Sequence, residues 1–256
     1  MIMNIKEIYD LSIPTEESPS EPLALNVTHK DHKELAQSLA DFLGCSVEDF
    51  PEGLGYANDD VKMNAHTGTH LDAPWHYFPT SEGIKAKTID EVPLEWCIGE
   101  GVVLDMRHKP TGALITVDDL QQALDKIDYN LKKGDIVFIQ TGADKYWGTK
   151  EYFDKGCGMG YEATIWLVDL GVRVMGIDAW GWDRPFWAIK EEFQKTKNRE
   201  ILWGAHRAGR DREYCHIEKL ANLDKLPKPY GFTTCCFPVK FTGGSAGWCR
   251  VVAWYN

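Results

Sequence analysis

Apolar positions along the chain alternate between strand-like and helix-like spacing. Ile5–Ile13 reads as a strand ended by Pro14, and the acidic, proline-bearing residues 14–24 read as loop. From Asp31 to Leu43, the side chains of Leu35, Leu39, Phe42 and Leu43 share one helical face, and Gly44 supplies a stop. Ser46-Val47-Glu48-Asp49 begins a short turn, and Glu52–Asp60 is glycine-rich and polar. Ile98–Met106 and Asp135–Gln140 are short apolar runs suited to buried strands. Between them, Thr116-Val117-Asp118-Asp119 resembles a capping box opening a helix through Ile127. A helix over Glu162–Leu170, a strand over Val172–Ile177 and a helix over Arg184–Lys197, with Pro185 in its first turn, continue the alternation. Phe232–Phe241 and Trp248–Trp254 read as strands joined by a turn at Thr242–Gly247. No repeat or linker divides this pattern, which predicts one α/β domain over residues 1–256.

Composition narrows the function. The chain has 256 residues, 43% of them hydrophobic, enough for a packed core without staples. Its formal net charge of −11 speaks against nucleic acid and against anionic membrane surfaces as partners. The opening residues lack the apolar run of a signal peptide and no stretch is long enough to cross a bilayer, so a cytoplasmic enzyme is expected. The seven cysteines are scattered, without a C-x-x-C pair, and are expected to be reduced and mostly buried. Gly243–Gly247 lacks the lysine and following helix of a phosphate loop.

Chemistry concentrates at residues 66–76, His66-Thr67-Gly68-Thr69-His70-Leu71-Asp72-Ala73-Pro74-Trp75-His76. Three histidines and a carboxylate all occupy even positions, and on an extended backbone steps of two share a face. His66, His70, Asp72 and His76 would then point the same way, with Gly68 leaving room between them. Neutral imidazoles and a carboxylate form a borderline donor set for Zn²⁺ or Mn²⁺. A cation so held lowers the pKa of a water towards neutrality and polarises a carbonyl. His76, four residues past Asp72, is placed to shuttle protons.

The same residues resemble a family signature. HxGTHxDxPxH is similar to the motif of the cyclase-type metal-dependent hydrolases, which include bacterial kynurenine formamidase and isatin hydrolase. Ile8-Tyr9-Asp10-Leu11-Ser12, Gly134–Val137 with Thr141-Gly142, Gly176–Ala179, and Gly243–Gly247 with Arg250 resemble further landmarks. The resemblance implies a swivelling β/β/α-like domain with a mixed, barrel-like sheet, outer helices, and a homodimer or higher oligomer. It implies that His66, His70 and Asp72 bind a first metal, that Asp72 bridges to a second held by His206 and Glu218, and that His76 is the catalytic acid/base. His216 is a rival ligand. Arg207, Arg210 and Arg212 either meet an acidic substrate group or pair with surface carboxylates.

Trp75, Trp180, Trp182, Phe186 and Trp187 lie near these landmarks and are candidates to stack on a flat substrate. The expected activity is hydrolysis of the carbon–nitrogen bond of a small amide, aromatic or cyclic. A lactonase or cyclic-imide hydrolase with the same site, a metal-dependent lyase or dehydratase, and a non-catalytic metal-binding protein are the alternatives.

Overall fold

A computed structural model of the chain describes residue 5 and residues 7–255. Lys6, inside the expected opening strand, lies outside the described residues; the strand found there is β1, Tyr9–Asp10. The chain divides into two compact units, Leu23–Asn64 and the combination of Met1–Pro22 with Ala65–Asn256.

In the smaller unit, Leu25–Lys30 pairs antiparallel with Asn58–Met63, so the glycine-rich, polar stretch Glu52–Asp60 ends in a strand. Between them runs helix α1, Ala36–Leu43, closed by Gly44 in the left-handed conformation (φ 68°). The helix starts five residues later than its apolar spacing suggests. It buries the small Ala36 and Ala40 and leaves Phe42 exposed. Periodicity alone had assigned the buried face to larger side chains.

The larger unit is built on one mixed sheet. Its other strands are β2 (His70–Asp72), β3 (Ile98–Asp105), β4 (Ile136–Gln140), β5 (Val174–Ile177), β6 (Cys215–Glu218), β7 (Tyr230–Cys235), β8 (Ala246–Trp248) and β9 (Val252–Trp254). Their spatial order is β1-β9-β7-β3-β4-β5-β6-β2-β8. The central strands β3 to β6 are parallel, and β2 joins them antiparallel to β6. The helices are α2 (Pro74–Tyr77), α3 (Val117–Lys126), α4 (Tyr161–Asp169), α5 (Phe186–Thr196) and α6 (Gly204–Asp211). This is the expected α/β class with a mixed sheet and outer helices.

The start of α3 is as its sequence suggests. Thr116 Oγ1 accepts from the Asp119 N–H at 3.3 Å, and the Asp119 carboxylate accepts from the Thr116 N–H at 2.8 Å. The C-terminal region differs from expectation. Trp248–Trp254 is two strands, β8 and β9, which lie near opposite ends of the sheet, and β7 pairs with β9, not β8. The break at residues 249–251 carries the chain across, so the turn at Thr242–Gly247 does not join β7 to β9; it is flanked instead by the antiparallel bridge Pro238–Cys249.

Strand alternation sorts the core into two faces. Val102, Leu104, Val137, Ile139, Met175 and Ile177 pack with α3, α4 and α6. Val103, Ile136, Phe138, Val174, Cys215, Ile217 and Leu71 pack on the other face. Cys215 and Ile217 on one face leave His216 and Glu218 on the opposite one, and Leu71 does the same for His70 and Asp72. All seven cysteines are free thiols. Among the described residues no helix is long and apolar enough to cross a membrane.

Candidate metal centre

The centre is assembled where β2 meets β6. In their antiparallel register Asp72 lies opposite His216 and His70 opposite Glu218. Two ligand-type side chains from each strand therefore share one face, and directly opposed side chains in such a pair lie close together. His216 Nε2 is 3.1 Å from Asp72 Oδ2 and 3.3 Å from Glu218 Oε1. His70 Nε2 is 3.3 Å from Asp72 Oδ1 and 3.6 Å from Glu218 Oε2.

His66 and His76 arrive by different routes from the one expected. The strand spans only residues 70–72. His66 sits in the preceding turn, where Gly68 adopts φ +69°. A side chain at Gly68 would meet Thr15 Oγ1 at 3.0 Å, so the glycine serves the turn's backbone instead of making room for an ion. His76 sits in α2, a single helical turn that Pro74 initiates. The two imidazoles still converge. His66 Nδ1 is 2.8 Å from Asp72 Oδ1 and His76 Nε2 is 3.7 Å from Asp72 Oδ2.

His206 comes from α6. Its Nδ1 faces Asp183 Oδ2 at 2.5 Å, and the same carboxylate accepts the backbone N–H groups of Ala205 and His206 at the helix start. Held this way, His206 points Nε2 at Glu218 Oε1, 3.8 Å away. His70 is fixed similarly, its Nδ1 lying 2.8 Å from the Gly68 carbonyl. The His216 ring is sandwiched between Tyr77, at 5.0 Å and 20° between planes, and Trp182, at 5.3 Å and 17°. Asp183 and Tyr77 had no visible role in the sequence, because both act through neighbours brought together only by the fold.

The electrostatics fit a cation. Burial opposes ionisation of Asp72, yet His76, His70, His216 and His66 hold its carboxyl well below the usual range. Burial likewise opposes ionisation of Glu218, but His216 and His70 hold it down at about 2 despite repulsion from Asp72. Burial alone would keep His216 neutral; Asp72 and Glu218 raise it to about 9. Burial drives His76 to about 4, with His206 and His66 adding to the effect and Asp72 opposing it. Two buried carboxylates thus demand positive charge at one point.

Among the described residues, both Asp72 carboxylate oxygens and His70 Nε2 are buried without a hydrogen-bond partner. Buried polar atoms left this way are costly unless something else binds them. The donor atoms of Asp72, His206, His216 and Glu218 lie within 4.8 Å of one another, as do those of His66, Asp72 and His76. Mixed imidazole and carboxylate donors in these two groups, sharing Asp72, could hold a divalent ion.

The aromatic residues separate. Trp182 is 0% exposed, with Nε1 donating to Thr164 Oγ1 at 3.2 Å, so it backs His216 and cannot face a substrate. Trp180 packs with Phe153 and Phe186, whose ring centroids lie 4.6 and 5.9 Å away. Trp75 is 40% exposed, and no ring contact between it and the cluster is found among the described residues. Trp203 is the indole beside the histidines, centroid to centroid 4.8 Å from His206 and 6.1 Å from His76. It is 49% exposed and sits at the start of α6 with φ 52°. Sequence reading missed it although it lies three residues before the candidate ligand His206, because only the aromatics beside residues 66–76 and the 176–183 segment stood out. The arginines pair with surface carboxylates, Arg207 with Glu200, Arg210 with Asp211 and Arg212 with Asp169.

Similarity to known proteins agrees with this architecture. A kynurenine formamidase from Erythrobacter litoralis is 28% identical over 193 residues, which cover 75% of this chain and 74% of that protein. An isatin hydrolase bound to the product analogue thioisatinate superposes with a TM-score of 0.73 at 20% identity, over 98% of this chain and 92% of the other. Isatin hydrolase A from Ralstonia solanacearum gives 0.73 at 23% identity over the same shares, 98% and 92%. These structural likenesses establish the fold. The family model described as Putative cyclase matches residues 9–184, well over half of the chain. The chain belongs to the cyclase family.

Proposed function

We propose that this protein is a metal-dependent hydrolase that opens the carbon–nitrogen bond of a small, flat amide. The observation that carries the reading is the buried Asp72 carboxylate, its oxygens without hydrogen-bond partners among the described residues and ringed by His66, His70, His76 and His216. Zinc or manganese suits these donors. His66, His70, Asp72, His206, His216 and Glu218 are the residues that would hold it. The ion, when bound, supplies a polarised carbonyl and a more acidic water.

The protein's own groups do the rest. His76 is only part buried, at the accessible side of the cluster, and burial keeps its ring neutral. A neutral imidazole accepts the proton of the attacking water as the oxygen–carbon bond forms. It returns that proton to the nitrogen as the carbon–nitrogen bond breaks, giving an acid and an amine. Trp203, beside His76 and His206, offers a flat apolar wall for the substrate. Similarity to a kynurenine formamidase and to isatin hydrolases favours aryl formamides and fused cyclic amides.

The test is a panel of aryl formamides, isatin-like lactams, cyclic imides and lactones, run on metal-loaded protein in isotopically labelled water. Turnover of an amide with label in the acid product supports the reading. Turnover of lactones alone, or an unlabelled product of elimination, replaces it.

A further inference from the structure

Lys219 directly follows Glu218 and is only 1% exposed. A buried ammonium demands partners, and the fold supplies three. Its Nζ donates to Glu21 Oε2 at 2.5 Å and to the His66 carbonyl at 2.8 Å, and lies 4.9 Å from the Trp180 ring centroid. Glu21 Oε2 also accepts the Gly68 N–H at 3.3 Å. The ion pair therefore grips both ends of the 66–68 turn, the ammonium on one carbonyl and the carboxylate on one N–H. The Lys219 carbonyl accepts the Thr69 hydroxyl at 2.6 Å, extending the grip to the residue before His70. Lys219 itself holds φ +60°, a backbone conformation uncommon outside glycine, which persists only where surroundings enforce it.

We propose that Lys219 is a positioning residue that, with Glu21, sets the 66–69 turn so that His66 and His70 present their nitrogens to the cation. This rests on the reading of the cluster as a metal centre. β6 ends at Glu218, one residue before Lys219, so Lys219 ties the end of that strand to the turn that carries His66 and leads into β2. Ligands supported by such outer contacts lose affinity when the contacts are removed, typically about 10–100-fold.

The test is calorimetric titration of metal-free protein with Zn²⁺ and with Mn²⁺, alongside thermal unfolding, for wild type, Lys219→Met and the double variant Glu21→Gln/Lys219→Met. Loss of the ammonium alone leaves the Glu21 charge uncompensated, so Lys219→Met is expected to lower both Tm and metal affinity. The double variant removes both charges and is expected to regain Tm while still binding metal about 10–100-fold more weakly than wild type. Wild-type affinity in either variant overturns the positioning role and leaves the metal reading intact. Absence of binding by wild type overturns the metal reading and this inference with it. If Lys219→Met does not fold, the double variant alone decides.

Discussion

Asp72 and His216 face each other across the β2–β6 pair, with His216 Nε2 3.1 Å from Asp72 Oδ2. That single register fixes the centre. Sliding either strand by one residue would send its two ligand-type side chains to the opposite face, among Leu71 and Ile217. The apolar alternation that specifies the core thus also specifies the site.

His76→Ala should separate binding from turnover. The imidazole stands at the rim, 3.7 Å from Asp72 Oδ2, and is assigned to proton transfer. Activity on a good amide substrate should fall about 10²–10⁴-fold with metal content unchanged. Equal loss of metal and activity would make His76 a ligand instead.

Asp183→Asn removes the charge that orients His206. The Asp183 carboxylate contacts His206 Nδ1 at 2.5 Å and caps the start of α6. Metal affinity should drop roughly 10–100-fold. Affinity equal to wild type would show that His206 needs no such partner. Circular dichroism checks that α6 is retained.

Trp203→Ala tests the substrate wall. A stacking face contributes about 0.5–1.5 kcal/mol, so KM for aryl amides should rise roughly 2–10-fold with little change in kcat. Aliphatic amides should be unaffected. A uniform loss over both classes would assign the indole to α6 packing.

Asp178 gives a pH signature away from the centre. Its carboxylate accepts the N–H groups of Thr141 and Gly142, each at 2.8 Å. Burial nonetheless outweighs these donors and raises its pKa from 3.8 to about 7. A carboxyl raised on folding contributes stability that is complete below 3.8 and is lost as pH rises towards about 7. The Tm advantage of wild type over Asp178→Asn should therefore shrink from about pH 4 to about pH 7 and level off above it. Parallel curves would show that the group titrates normally.

Much of this was legible in the chain. His66, His70, Asp72 and His76 announce themselves by proximity, and the Thr116–Asp119 capping box marks α3 through local chemistry. Residues 66–76 do not form one extended strand, because Gly68 and Pro74 bend the chain on either side of β2. His216 was visible only as a rival ligand, and its place beside Asp72 depends on a pairing between distant strands. Asp183, Tyr77, Trp203 and Lys219 act through contacts made by tertiary packing, which leaves no periodic trace. Trp182 shows the converse: adjacency to a landmark suggested a substrate wall, and burial gave it to the core.

On the proposed function, the Asp72 carboxylate and its ring of imidazoles hold a divalent cation. Elemental analysis of protein purified without added metal, wild type beside Asp72→Ala, tests it most directly. Stoichiometric zinc or manganese in wild type and its loss in the variant is the expected result. A folded wild-type protein that carries neither metal, and takes up neither when they are offered, would contradict it.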